Sequence, residues 1–332
     1  MERARFRTRM AVHLLVLVGG LALLVTAASA LVRGASALAL RFGLSPLVVG
    51  LTVVAFGTSA PELVVSAQAA LAGAGGIAVG NVVGSNIANI ALILGVAALV
   101  KPLASERAML QRDLPLLVAA TALASAFLLD REVLLWEGAV LTAALVAHLS
   151  WSLVAARRAA GAPEAAAPEA AAPEAAAPEA SGAPAWQSAA FVALGLAGLV
   201  WGADLFVGAA TALAERAGVP NAVIGLTVVA VGTSLPELAT SAVAAARGEG
   251  AIAIGNVVGS NLFNALGILG VAALVRPLAA PGLQTLDLVV MGALTLAMGA
   301  MMWTGRRLSR WEGAALLTAY VGYVAFVIAG AV

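Results

Sequence analysis

Two glutamates, Glu62 and Glu237, each stand in a long apolar run within the same pattern, Gly-Thr-Ser-x-Pro-Glu. An ionisable side chain in such a run is costly to bury, and marks a functional site by default. Proline removes a backbone donor and glycine tolerates unwound dihedrals, so Gly57 with Pro61, and Gly232 with Pro236, predict a break in each helix. A broken helix frees carbonyl oxygens, which survive at membrane depth only where they line an enclosed cavity. Each break therefore offers a carboxylate, two hydroxyls (Thr58 and Ser59, or Thr233 and Ser234) and carbonyls within about two turns.

A second block adds oxygen. In Gly80-Asn-Val-Val-Gly-Ser-Asn-Ile-Ala-Asn89, Ser85 and Asn89 are four residues apart and share a helix face, as do Ser260 and Asn264. Asn81 and Asn256 lie a turn earlier, toward the same face. Gly80 with Gly84, and Gly255 with Gly259, form a small-xxx-small surface on which another helix can lie closely. The serines and asparagines could equally serve as interhelical hydrogen-bond glue. The donor set is all hard oxygen, which suits Ca²⁺, Na⁺ or protons and not zinc or copper, which favour His or Cys. Two carboxylates carry charge −2, which one Ca²⁺ neutralises. Left empty, two close and dehydrated glutamates repel, so a proton or another cation must take the place of Ca²⁺. That is the logic of exchange on shared carboxylates.

The elements that position these residues span a bilayer. The chain is 62% hydrophobic and 11% charged, with a mean hydropathy of +1.02, whereas soluble domains are about one quarter charged. A net charge of +1 leaves no phosphate-binding face for nucleic acid. There is no cysteine, hence no disulfide or thiol chemistry. Taking roughly 20 apolar residues per span, ten candidates emerge: 11–32, 46–70, 77–100, 113–129, 133–154, 187–209, 220–245, 251–275, 285–303 and 312–331. The first is read as a span rather than a cleaved signal.

From Gly161 to Pro184 runs APEAAAPEAAAPEAAAPEA, which cannot bury a core and is expected as a solvated tether. The expected divisions are residues 1–155, a linker at 156–185, and 186–332. The two halves are copies. Gly50–Leu63 returns as Gly225–Leu238 and Gly80–Asn86 as Gly255–Asn261, at an offset of 175 residues. Lys101-Pro102 with Arg276-Pro277, and Trp136-Glu137-Gly138 with Trp311-Glu312-Gly313, keep that offset. Five spans per half would start the second copy on the opposite side of the membrane and make the repeats inverted. The fold expected is therefore an all-α polytopic membrane protein of ten helices, two inverted five-helix repeats broken at the second and seventh spans. Assigning loops alternately puts 11 Lys/Arg on one side against 7, four of them at the N-terminus. The positive-inside rule then places the linker in the cytoplasm and both termini outside. Composition and brief loops suggest a prokaryotic plasma membrane.

At these residues the chain resembles the sodium/calcium exchanger family of the cation/Ca²⁺ antiporter superfamily, over nearly its whole length and through both duplicated blocks. The resemblance implies Ca²⁺ held by Glu62 and Glu237 with the carbonyls of Thr58 and Thr233. It implies sodium sites from Ala55, Thr58, Ser59, Glu62 and Ser85, and from Ala230, Thr233, Ser234, Glu237 and Ser260, with Asn89 at the middle. It also implies a first and sixth span that slide across a fixed core. Many members carry Asp where this chain has Asn264, which leaves potassium dependence and stoichiometry open, and Na⁺ or H⁺ as the driver. If three Na⁺ exchange for one Ca²⁺, transport is electrogenic.

Other classes fit less well. A passive channel disagrees with broken helices in inverted repeats. An intramembrane enzyme lacks an H-E-x-x-H pattern, and the lone His13 and His148 leave no base for Ser or Thr. No P-loop is present for primary pumping. No cofactor and no protein partner are expected beyond the lipid bilayer, Ca²⁺ and a monovalent counter-cation. Asp204, without a matching acid in the first half, reads as a capping or interfacial acid. Trp136 and Trp311 read as interface anchors.

Overall fold

The computed structural model describes residues 2–107, 109–160, 184–216 and 230–331. The low-complexity tether lies outside them, as does most of the first half of the span expected at 220–245.

The described chain is almost wholly helical. Its helices are α1 (Glu2–Phe42), α2 (Pro46–Thr58), α3 (Ala60–Leu71), α4 (Gly75–Val100), α5 (Leu114–Phe127), α6 (Leu135–Ala160), α7 (Ala185–Arg216), α8 (Ala230–Thr233), α9 (Leu235–Ala246), α10 (Gly250–Val275), α11 (Thr285–Gly305) and α12 (Arg310–Ala331). Among the described residues six helices are long and apolar enough to cross a membrane, or seven when α2 and α3 count as one bent span. The spans expected at 113–129, 133–154 and 220–245 correspond to α5, α6 and α8–α9, which are not among those six or seven.

α1 runs ten residues beyond the expected end at Val32. Nothing breaks it until Gly43, whose φ of 62° ends the helix, with the Leu44 N–H donating to the Ala39 carbonyl. α4 and α10 each carry a π-helical stretch, Asn89–Leu94 and Phe263–Ile268, and α2 carries one at Gly50–Val54. Such stretches gather at functional positions.

Contacts between the halves come in pairs 175 residues apart. Strand β1 (Leu103–Ala104) pairs antiparallel with β4 (Arg307–Leu308), and β2 (Glu132–Val133) pairs with β3 (Leu278–Ala279). A Cβ on Gly138 would stand 2.8 Å from the Gly270 carbonyl, and one on Gly313 would stand 2.8 Å from that of Gly95. These glycines let α6 lie directly on α10, and α12 on α4. The duplicated Trp-Glu-Gly blocks have a capping role that their tryptophans concealed. Glu137 accepts from the Leu134 N–H, and Glu312 from the Ser309 N–H, both at 2.7 Å, closing the first turns of α6 and α12. The buried core is made of Leu, Ile, Val and Ala from α1, α4, α10 and the segments around them.

Candidate ion-binding site

The break falls where the sequence predicts it. α2 ends at Thr58 and α3 begins at Ala60. Between them Ser59 leaves the helical region at φ −84° and ψ 6°, and the two helices bend by 46°. Ser234 does the same between α8 and α9, at φ −90° and ψ 6°. Proline sits in the first turn of both α3 and α9, where its missing N–H costs nothing. Glu62 and Glu237 follow in that turn, facing the partial positive charge of the helix start.

The two breaks meet. Ser59 Oγ donates to Glu237 Oε1 at 2.9 Å, and Ser234 Oγ donates to Glu62 Oε1 at 3.3 Å. Each serine thus bonds the carboxylate of the other half. Both glutamates are 1% exposed, and the second oxygen of each, Oε2, has no hydrogen-bond partner among the described residues. Two dehydrated carboxylates with unused acceptor capacity are stabilised by nearby cationic charge.

α4 and α10 support the pair. Asn81 Nδ2 donates to the Glu62 carbonyl at 3.2 Å and to Ser66 Oγ at 3.0 Å. Asn256 Nδ2 donates to the Glu237 carbonyl at 3.5 Å and to Ser241 Oγ at 3.0 Å. These asparagines brace the glutamate helices. Ser66 and Ser241, missed in the sequence, stand four residues after each glutamate at the repeat offset, and that spacing was the available signal. Thr58 Oγ1 donates to Asn256 Oδ1 at 3.2 Å. The Ser85 and Ser234 hydroxyl oxygens lie 3.5 Å apart, whereas Ser260 Oγ is buried without a partner among the described residues.

The central asparagines are not equivalent. Asn89 Nδ2 donates to Asn261 Oδ1 at 2.9 Å, while the side-chain oxygens of both Asn89 and Asn264 are buried without a partner among the described residues. Ala55 is buried against Gly259, where a Cβ would stand 2.7 Å from its own. Thr233 lines a cavity of about 440 Å³ with Asn81, Ser85 and Tyr323. Ala230 starts α8, and its side chain lies outside the described residues. The expected close packing on glycines holds at Gly255 and Gly259, which meet Leu47 and Leu51 of α2. Among the described residues nothing lies within 4 Å of a Cβ on Gly80 or Gly84.

Asp204 is the residue whose reading changes. It neither caps α7 nor sits at its end. It lines openings beside both breaks.

The profile of the sodium/calcium exchanger protein family matches residues 12–154 and 187–329, one half of the chain each. The sodium/calcium exchanger MaX1 of Methanosarcina acetivorans is 38% identical, over 94% of this chain and 97% of its own. The inner membrane protein YrbG of Escherichia coli is 37% identical over 79% of both chains. The solved structure of the sodium-calcium exchanger NCX_Mj, soaked with zero Na⁺ and Ca²⁺, superposes with a TM-score of 0.82 at 29% identity. It covers 96% of this chain and 99% of that one. A duplicated, helical, membrane-embedded chain whose halves each match one profile and whose fold follows a solved exchanger belongs to the sodium/calcium exchanger family.

Proposed function

We propose that the chain is a secondary active antiporter that exchanges Ca²⁺ for Na⁺ by alternating access, with Glu62 and Glu237 as the shared ion-binding carboxylates. The observation that carries this reading is the reciprocal serine–glutamate bonding across the two breaks. It brings both carboxylates to one buried place with an unbonded oxygen on each. Thr58, Ser59, Ala55, Ser85 and Asn89, with Thr233, Ser234, Ala230, Ser260 and Asn264, complete the proposed ligand set through hydroxyl, amide and carbonyl oxygen, the donors that Ca²⁺ and Na⁺ accept.

The proposed architecture is ten spans in two inverted repeats, residues 1–155 and 186–332, joined by a cytoplasmic linker at 156–185, with both termini outside. The paired β1–β4 and β2–β3 contacts support it. So do Lys101 beside Gly248 and Arg276 beside Gly73, matched contacts on the two loop clusters that alternation assigns to opposite faces. The name of YrbG as an inner membrane protein is in keeping with a prokaryotic plasma membrane.

The test is ⁴⁵Ca²⁺ uptake into proteoliposomes of the purified chain under an outward Na⁺ gradient, an outward H⁺ gradient without Na⁺, or neither. Na⁺-driven uptake that an inside-positive potential accelerates is the expected result. Uptake driven by H⁺ alone moves the chain to Ca²⁺/H⁺ exchange on the same glutamates. Gradient-independent, non-saturating flux refutes antiport.

A further inference from the structure

α7 carries one acid deep inside its apolar length. Asp204 lies twelve residues before the helix end at Arg216, about 18 Å at 1.5 Å per residue. Val200, Ala203, Asp204 and Val207 fall at i, i+3, i+4 and i+7, on one helical face. That face lines a cavity of about 210 Å³ whose far wall includes Pro61, Thr233 and Pro236. The two prolines directly precede the two glutamates. A larger opening of about 710 Å³, bordered by Phe56, Gly57 and Trp201, shares Val200 and Asp204. Among the described residues Asp204 is the one charged side chain in either lining. It is exposed, and makes no ion pair among the described residues.

A bare carboxylate at this depth is costly against lipid. Facing an opening walled by apolar groups, it instead focuses its field and raises the local cation concentration. The repeat makes this one-sided, because the position matching Asp204 in α1 is the uncharged Ser29.

We propose that Asp204 is a cation-recruiting carboxylate at the mouth of the glutamate site bordered by α7, concentrating Ca²⁺ and Na⁺ on one face of the membrane. This rests on the reading of Glu62 and Glu237 as the ion-binding pair. Asp204 acts before binding, on capture, so it changes KM and leaves the rate of the loaded carrier.

The experiment is initial-rate ⁴⁵Ca²⁺ uptake in right-side-out and inverted membrane vesicles, for the parent, Asp204→Asn, Asp204→Lys and Asp204→Glu, at 10 mM and 300 mM ionic strength. At low salt, KM on one face is expected to rise about threefold to tenfold in Asp204→Asn. It rises further in Asp204→Lys and returns toward the parent in Asp204→Glu, with kcat changing less than twofold. Because the screening length shrinks from about 30 Å at 0.01 M to below 10 Å above 0.1 M, these differences should collapse at high salt. The parent itself should show a steeper salt dependence on that face, a readout that needs no variant. Equal parental salt slopes on both faces overturn the proposal, as does a loss of kcat indifferent to charge and salt. Glu62→Gln, run in parallel, keeps the two ideas apart. Full transport in that variant refutes the glutamate reading, while a dead Glu62→Gln beside an unchanged Asp204→Asn refutes the capture role alone.

Discussion

The glutamate core and the pair α1–α7 use the same duplication differently. Around the glutamates the serine and asparagine contacts come in mates: Ser59 on Glu237 and Ser234 on Glu62, Asn81 on Ser66 and Asn256 on Ser241. α1 and α7 also cross each other in matched fashion, with a Cβ on Gly20 reaching the Phe206 N–H group and one on Gly195 reaching that of Leu31. Their seating on the core is not matched. α1 packs along α9, and α7 makes no comparable contact with α3. The break glycines Gly57 and Gly232 both lean on α7, through Leu196 and Val207. Under the proposed function the difference has a plain meaning. A site that must hold the same ion from either side keeps its symmetry, and the elements that decide which side is open break it.

Substitutions in the two regions test this contrast. The largest effect should come from the carboxylates. Glu62→Gln and Glu237→Gln each remove one of the two negative charges that the proposed site sets against a divalent cation. Ca²⁺ uptake is therefore expected to fall by about 100-fold or more in both variants while the protein stays folded. One active variant would show that the core is not symmetric in use.

Next come the serines. Ser59→Ala and Ser234→Ala each remove a hydrogen bond to a carboxylate, worth about 1.5–3 kcal/mol. Similar increases in KM for Ca²⁺, about tenfold each, are expected. A tenfold disparity between them would end the claim of equivalence.

The asparagines should separate. Asn89→Ala strands the buried Asn261 Oδ1, at a cost of about 1–3 kcal/mol, and should lower the melting temperature by several degrees. Asn264→Asp, at the unbonded position, should change the Na⁺ and Ca²⁺ dependence of uptake with little effect on melting. Overlapping cation-dependence curves for Asn264→Asp and the parent would remove it from the site.

The smallest effect is expected at the loops. Lys101 lies beside Gly248 and Arg276 beside Gly73, each just past the C-terminus of a glutamate helix, where a cation favours the helix dipole. Lys101→Ala and Arg276→Ala should each lower the melting temperature by about 1–3 °C, without altering KM.

Much of this was legible in the chain because it depends on local chemistry written twice. The break needs only a proline behind a glutamate and a glycine ahead of it, so it can be located at Ser59 and Ser234 from the motif. The membrane class follows from composition, and the paired halves from one constant offset. Asn81 and Asn256 were less legible, since their amides reach another helix, and helical spacing alone does not say which neighbour a side chain finds.

Residue order alone sets the solvent, the duplication, the two helix breaks and the oxygen chemistry available at them. The packing of whole helices settled that each serine bonds the glutamate of the other half, that the Asn89 amide donates to Asn261, and that Asp204 faces an opening rather than a helix end. The reason is physical. Residue types and spacing set what a helix can offer along its own length. Which groups meet across more than 170 residues of chain depends on how whole helices pack, and on small departures from symmetry that a repeated motif cannot record.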